Sequence, residues 1–274
     1  PHLFTNDQML SWKKIVDSIH KYKTKIYAQL WHCGRISHND YTNGFDLVSS
    51  TNNPAKGMNR QNQKPFGTPR ALKLNEMEST YNMFNYSAEL ALKAGFDGIE
   101  IHMGHGYLID QFIDGNINDR QDKYGGTVEN RIRFAIELLK SLIKKIGSDK
   151  IMVRISPSRM MGGLYEWPDK MTTLEKLLKE FDLSGLRQLD ISCANSNYFD
   201  TSGKIIKQIK KFWPHILIGG ASLTIKEAEN EINSGYLDMV TWGRAILANP
   251  NFVKLIEKNL PLKEFNDKMR ESLI

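Results

Sequence analysis

The chain has 274 residues, 41% hydrophobic and 25% charged, with 37 Lys and Arg against 31 Asp and Glu for a formal net charge of +6. That balance describes an ordinary globular protein with a core, and no apolar run reaches the ~18–20 residues of a membrane span. The lysines are scattered beside acids instead of clustering among aromatics, which argues against nucleic acid as a partner, and the two cysteines, Cys33 and Cys193, are too few and too far apart for a disulfide framework or a thiolate metal site.

In chain order, Pro1 leads into "FTNDQMLSWKKIVDSIHKY". Thr5 or Asn6 is the expected N-cap, followed by Met9, Trp12, Ile15, Val16 and Ile19 at helical spacing. Opening on a complete amphipathic helix suggests that a preceding part of the fold is missing. Strands are predicted at 25–31, 96–103, 150–157, 186–192, 215–221 and 237–243. Helices are predicted at 76–94, 127–146, 172–183, 202–213, 224–234 and 250–259. The strands read as short apolar runs, as expected when both faces of a parallel sheet are covered. Strand and helix alternate, so the class is α/β. Residues 38–75, rich in Asn, Thr, Pro and Gly, read as an excursion over the mouth of one single domain.

Polar residues or glycines gather at the C-terminal ends of nearly all these strands, and no GxGxxG follows the first one. Both features favour a TIM (β/α)8 barrel over a doubly wound sheet. Six strands are counted where a barrel has eight. The first two are therefore expected to lie ahead of Pro1. No secretory or transit signal is present either, which with the cysteine usage makes the cytoplasm the expected location.

The chemistry follows strand by strand. Gly219 and Gly220, then Gly243 and Arg244, close the last two strands before helices, where barrels bind phosphate through backbone N–H groups. A pair of structural turns is the plainer reading. Arg154 in "VRISP" needs an anionic partner. That partner is either a neighbouring acid such as Glu100 or charge developing on a ligand. Gln29 in "YAQLW" offers a donor and an acceptor suited to a heterocycle edge, although a lone glutamine is more often a satisfied core residue. "GFDGIEIHMGHGYLIDQF" delivers His102, His105, Tyr107 and Asp110 together. These could be loop-capping histidines or metal ligands lacking a third partner. They could also be donors polarising a carbonyl, with a phenol as proton source.

"GFDGIEIHMGHGYLIDQFIDGNINDRQDKYGGTVENRIRF", with "AQLWHCGRIS", "TPRAL", "VRISP" and "WGRAILANP" in the same order, resembles the old yellow enzyme family of flavin-dependent ene-reductases on a TIM barrel. The resemblance runs over essentially the whole chain. It implies FMN as cofactor and NAD(P)H as reductant. By it, Gln29 is similar to the residue at the pyrimidine edge of the flavin, and Arg154 to the arginine that stabilises the anionic reduced ring. Gly219, Gly220, Gly243 and Arg244 resemble the phosphate cradle. His102 and His105 resemble the pair that holds a substrate carbonyl, Tyr107 the proton donor, and Trp31 an aromatic shaping the substrate pocket. The run Asp119, Arg120, Asp122, Glu129, Asn130, Arg131 and Arg133 is expected to form a network holding the mouth loop, with Gly125-Gly126 turning into a helix near Thr127. The implied activity is reduction of the C=C bond of α,β-unsaturated carbonyl compounds. The alternative is a shortened barrel that no longer holds flavin and is inactive. Substrate, NADH or NADPH preference and oligomeric state are not encoded legibly.

Overall fold

The computed structural model describes residues 2–160, 163–193 and 196–271. Thr5 opens α1 (Asn6–His20) through a capping box: its hydroxyl accepts from Gln8 N at 3.2 Å, and Gln8 Oε1 accepts from Thr5 N at 3.2 Å. Six strands then form one sheet: β1 (Tyr27–Leu30), β2 (Gly98–Met103), β3 (Ile151–Ile155), β4 (Gln188–Ile191), β5 (Ile216–Gly220) and β6 (Met239–Thr241). Every pairing is parallel, and the spatial order is the chain order. A doubly wound sheet reverses its order at a switch point. This sheet does not, so its order is that of a (β/α)8 barrel.

Helices fill the crossovers. These are α2 (Met77–Lys93), α3 (Leu108–Ile113) and α4 (Val128–Ile146), then α5 (Lys170–Leu183), α6 (Ser202–Ile209) and α7 (Ile225–Asn233). The short α8 (Arg244–Ala248) and α9 (Phe252–Glu257) follow β6. The expected helix over 202–213 stops at Ile209 and tightens into a 3-10 turn, Lys210–Phe212. The other predicted helices shift by a few residues at their ends. None of the described helices is long and apolar enough to cross a membrane.

The core lies between sheet and helices. Ile99, Ile101 and Met103, Ile151, Val153 and Ile155, and Leu189 and Ile191 are fully buried on the helix side. They meet Phe134, Leu138 and Leu142 of α4 and Leu174, Leu177 and Phe181 of α5, all fully buried as well. Each such side chain contributes about 1.5–3 kcal/mol. Phe112 stacks on Phe134 at 4.2 Å, which seats α3 on α4.

The opposite face departs from the sequence reading. Because side chains alternate along a strand, Gln29, Glu100, His102, Arg154 and Asp190 share the inner side of the sheet. β1 to β4 therefore carry polar side chains on the inner face, beside Met152, whereas β5 places Ile216 and Ile218 there and is apolar on both faces. Loop contacts brace the rim. Arg120 pairs with Asp122 at 2.6 Å and donates to Leu72 O at 2.7 Å. Asp119 accepts from Thr51 and Asn53, both at 2.8 Å. Arg133 donates to Lys123 O and to Asn130. Arg131, buried, donates to Ile113 O at 3.0 Å and Gly126 O at 2.7 Å while pairing with Asp169, whereas Glu129 reaches outward to Lys176. Thr127 caps α4 after Gly126, whose φ is +80°.

Candidate active site

β2 delivers His102 at its C-terminal end, and the turn that follows delivers His105 and Tyr107. The His102 ring lies 5.0 Å from that of His105 and 5.5 Å from that of Tyr107. Trp31, just past β1 and about half exposed, packs edge-on against Tyr107 at 4.5 Å. All four sequence candidates on these two elements thus come together.

The histidines are bonded to each other, with His105 Nδ1 3.1 Å from His102 Nε2. His102 is 5% exposed, and its Nδ1 is buried without a hydrogen-bond partner among the described residues. Burial, then the charges of His105 and Arg154, pushes His102 down to about 3. Burial, Arg154 and Arg159 push His105 down to about 4. Both rings are therefore neutral at pH 7, each with one N–H and one lone pair. Donation from His102 Nε2 to His105 Nδ1 is the less costly arrangement, because it leaves only a lone pair unmet at the buried Nδ1. Burial, then Cys33, pushes the Tyr107 phenol up against the opposing charge of Arg60, so Tyr107 holds its proton.

Beside them, Arg154 contacts Asp190 at 3.1 Å and donates to Ser192 Oγ at 2.7 Å. Its ion-pair partner is Asp190, directly across the β3–β4 register, and not Glu100 as the sequence suggested. Glu100 instead accepts from Gln29 and hydrogen-bonds Asp190. Burial raises Asp190, Glu100 adds to the rise, and Arg154 opposes it. The buried Arg154 Nε has no partner among the described residues.

At the other end of the sheet the predicted glycines divide. Gly219 and Gly220 lie inside β5, not in the loop after it. A Cβ on Gly220 would sit 2.6 Å from Thr241 O, so packing against β6 requires that glycine, whereas one on Gly219 would first meet the movable tip of Ile206, at 2.6 Å. The loop itself holds Ala221 and Ser222 at φ +106° and +60°, left-handed values costly for non-glycine residues. Gly243 faces open space. Arg244 Nη2 lies 3.3 Å from Ser222 Oγ, and both line a pocket of about 490 Å³ with Ser196, Asn197, Asp200 and Thr201.

The family model described as NADH:flavin oxidoreductase / NADH oxidase matches residues 1–263. The chain belongs to that family, the old yellow enzymes. It is 31% identical over 278 residues to 12-oxophytodienoate reductase 2 of Arabidopsis thaliana, covering 97% of this chain and 73% of the relative. It is also 31% identical over 286 residues to 12-oxophytodienoate reductase 7 of Oryza sativa subsp. japonica, with the same coverage. Among solved structures, the old yellow enzyme homologue from Zymomonas mobilis superposes with a TM-score of 0.89 at 30% identity over 98% of this chain and 77% of that one. The crystal structure of TcOYE with pHBA gives 0.90 at 26% identity over 100% and 78%. As an old yellow enzyme, the protein is an FMN-dependent oxidoreductase with NAD(P)H as its reductant.

Sequence reasoning missed what holds this old yellow enzyme site in place. Gln111 is fully buried and makes four bonds: to Gly106 O (2.7 Å), to Cys33 O (3.2 Å), from Ser49 Oγ (2.8 Å) and from Arg35 N (3.2 Å). It ties the loops after β1 and β2 to the excursion. Asp110, Asp114, Arg159, Tyr165 and Trp167 form a second buried cluster. Only the position of Asp110, one turn beyond Gly106, signalled it in the sequence.

Proposed function

We propose that this old yellow enzyme reduces the C=C bond of α,β-unsaturated carbonyl compounds. The observation that carries the reading is the ring cluster of His102, His105 and Tyr107: two neutral imidazoles and a protonated phenol beside the cationic Arg154.

The residues fit FMN. Arg154 has a buried donor without a partner among the described residues, suited to an electron-rich ring edge, and Gln29 two strands away supplies an amide. Ser222, Gly243 and Arg244 leave an open, cationic corner suited to a phosphate. In this reading Gly219 and Gly220 support the corner by letting β5 pack closely against α6 and β6. When bound, FMN supplies hydride transfer between NAD(P)H and the substrate.

The protein's own part is orientation and proton delivery. N–H groups of His102 and His105 grip the carbonyl oxygen and draw electron density from the conjugated C=C, which activates its β-carbon. Tyr107 donates its proton to the α-carbon and regains one from solvent. Trp31 walls the substrate side of Tyr107. Residues 38–75 frame the same mouth: Ser49 and Ser50 bond Gln111, and Arg60 acts on the phenol.

The test is anaerobic turnover of FMN-loaded protein with NAD(P)H and 2-cyclohexenone. Saturated ketone is the expected product. NAD(P)H oxidation that yields only the allylic alcohol, or no organic product, defeats the proposal.

A further inference from the structure

The turn carrying His105 and Tyr107 is strained. His105 has φ +55° and Gly106 φ +79°, two successive residues in the left-handed region where a side chain is disfavoured. Its conformation is held by its backbone. Gly106 O accepts from Gln111 Nε2 at 2.7 Å, and Gly106 N donates to Asp110 Oδ2 at 2.5 Å.

Asp110 is fully buried, and both of its carboxylate oxygens have hydrogen-bond partners. Oδ2 also takes Arg159 Nη1 at 2.5 Å, and Oδ1 takes Trp167 Nε1 at 2.8 Å. Arg159, 5% exposed, spends its other terminal nitrogen on Asp114 at 3.0 Å and stacks over Tyr165 at 4.3 Å. Tyr165 donates to Asp114 at 2.7 Å. Arg159, Tyr165 and Trp167 all come from the hairpin Ser158–Met160/Leu164–Glu166 and its exit. An α3 carboxylate thus joins this hairpin to the turn, and the charge of Arg159 reaches His105.

A carboxylate this buried, aimed at one backbone N–H of a strained turn, is a costly way to fill space. We propose that Asp110 is a positioning residue for the reaction: its carboxylate, held by Arg159, clamps Gly106 N–H and so sets where His105 and Tyr107 stand relative to a bound carbonyl. This deepens the ene-reductase reading and rests on it. Small displacements of positioned groups cost up to about 10²-fold in rate.

The inference also predicts a pH limb. The groups acting on Asp110 are Arg159 and Trp167 from the hairpin and its exit, Asp114 at the end of its own helix, and the Gly106 N–H, while Tyr165, His105 and Arg35 act through Arg159 and Asp114. Burial, only partly countered by Arg159, raises Asp110 to about 6, so the clamp is lost as pH falls through that value.

The experiment compares FMN-loaded wild type with Asp110→Asn, following flavin reduction by NAD(P)H and reoxidation by 2-cyclohexenone separately, from pH 5 to 8. Amide hydrogen exchange at Gly106 is measured in parallel and needs no turnover. Expected are a near-normal reductive step, an enone step slowed roughly 10–100-fold, loss of the wild-type limb near pH 6, and faster Gly106 exchange against unchanged α4 amides. Asp190, which also titrates upward, is intact in both proteins and cancels in the comparison. If Asp110→Asn does not fold, Arg159→Lys, which keeps the charge but loses the fork, should give the same pattern more weakly. Equal slowing of both steps, a retained limb, or unchanged Gly106 exchange overturns the inference. A wild type that is reduced by NAD(P)H but never reoxidised by any enone defeats the ene-reductase reading instead, while Gly106 exchange still decides the clamp.

Discussion

His102 Nε2 and His105 Nδ1 lie 3.1 Å apart, so the two rings proposed to hold a substrate oxygen are hydrogen-bonded to each other in the resting site. A carbonyl that takes N–H groups from both must open this bond. Removing one ring leaves the ligand with a single donor. His105→Ala should therefore weaken a phenolate ligand by about 10- to 150-fold, the worth of one hydrogen bond to a charged oxygen. Flavin-perturbation titration with p-hydroxybenzaldehyde measures it. Unchanged affinity would show that His105 does not face the ligand.

Tyr107→Phe removes only a hydroxyl whose pKa is raised by burial and which therefore keeps its proton at neutral pH. Positioned general acids contribute ~10²–10⁴-fold. Enone turnover should fall by about that factor while flavin reduction by NAD(P)H stays near normal, as resolved by stopped-flow absorbance. Equal slowing of both steps would make Tyr107 structural.

The charge of Arg154 acts on both imidazoles, and Asp190 neutralises part of it. Positive charge beside a group that gains electrons favours its reduction. Arg154→Met should lower the midpoint potential of bound FMN, and Asp190→Asn should raise it. Spectroelectrochemistry reads both, and a rise in the Arg154→Met variant contradicts the assignment.

Arg244→Ala removes the cation beside Ser222 at the open corner. FMN affinity should drop at least tenfold, whereas affinity for riboflavin, which lacks the phosphate, should hardly change. Fluorescence titration of apoprotein with the two flavins distinguishes loss of a phosphate contact from general damage.

Acid stability carries its own test. Folding lowers His102 from 6.5 to about 3, so between those values the unfolded chain binds a proton that the native state refuses. Its contribution falls by about 1.4 kcal/mol for each pH unit below 6.5. The raised carboxyls of Asp110 and Asp190 have the opposite sign, since their native forms hold the extra proton. Their opposition flattens the wild-type profile. His102→Asn should therefore lose less stability than wild type between pH 6.5 and 4.5, as measured by urea midpoints. Parallel profiles would mean that His102 is not a buried neutral ring.

Much of this protein was legible in one dimension. The α/β alternation, the six strands and the Thr5 cap follow from local rules: hydrophobic period, capping chemistry and the steric habits of glycine. His102, His105 and Tyr107 stood out because residues at strand ends are few and chemically distinctive, and the family resemblance supplied their roles together with Trp31. What needed three dimensions was partnership. That Arg154 pairs with Asp190 depends on a β3–β4 register that no local pattern encodes. Gly220 proved to be required by the Thr241 backbone, a contact that exists only once β6 has packed. Asp110 and Arg159 stand 49 residues apart and meet inside a core where charge survives only when paired. Sequence determined which groups the site contains, because residue type fixes chemistry. Tertiary structure decided which of them share protons and charge, because those couplings act through a few ångströms of space and are blind to distance along the chain.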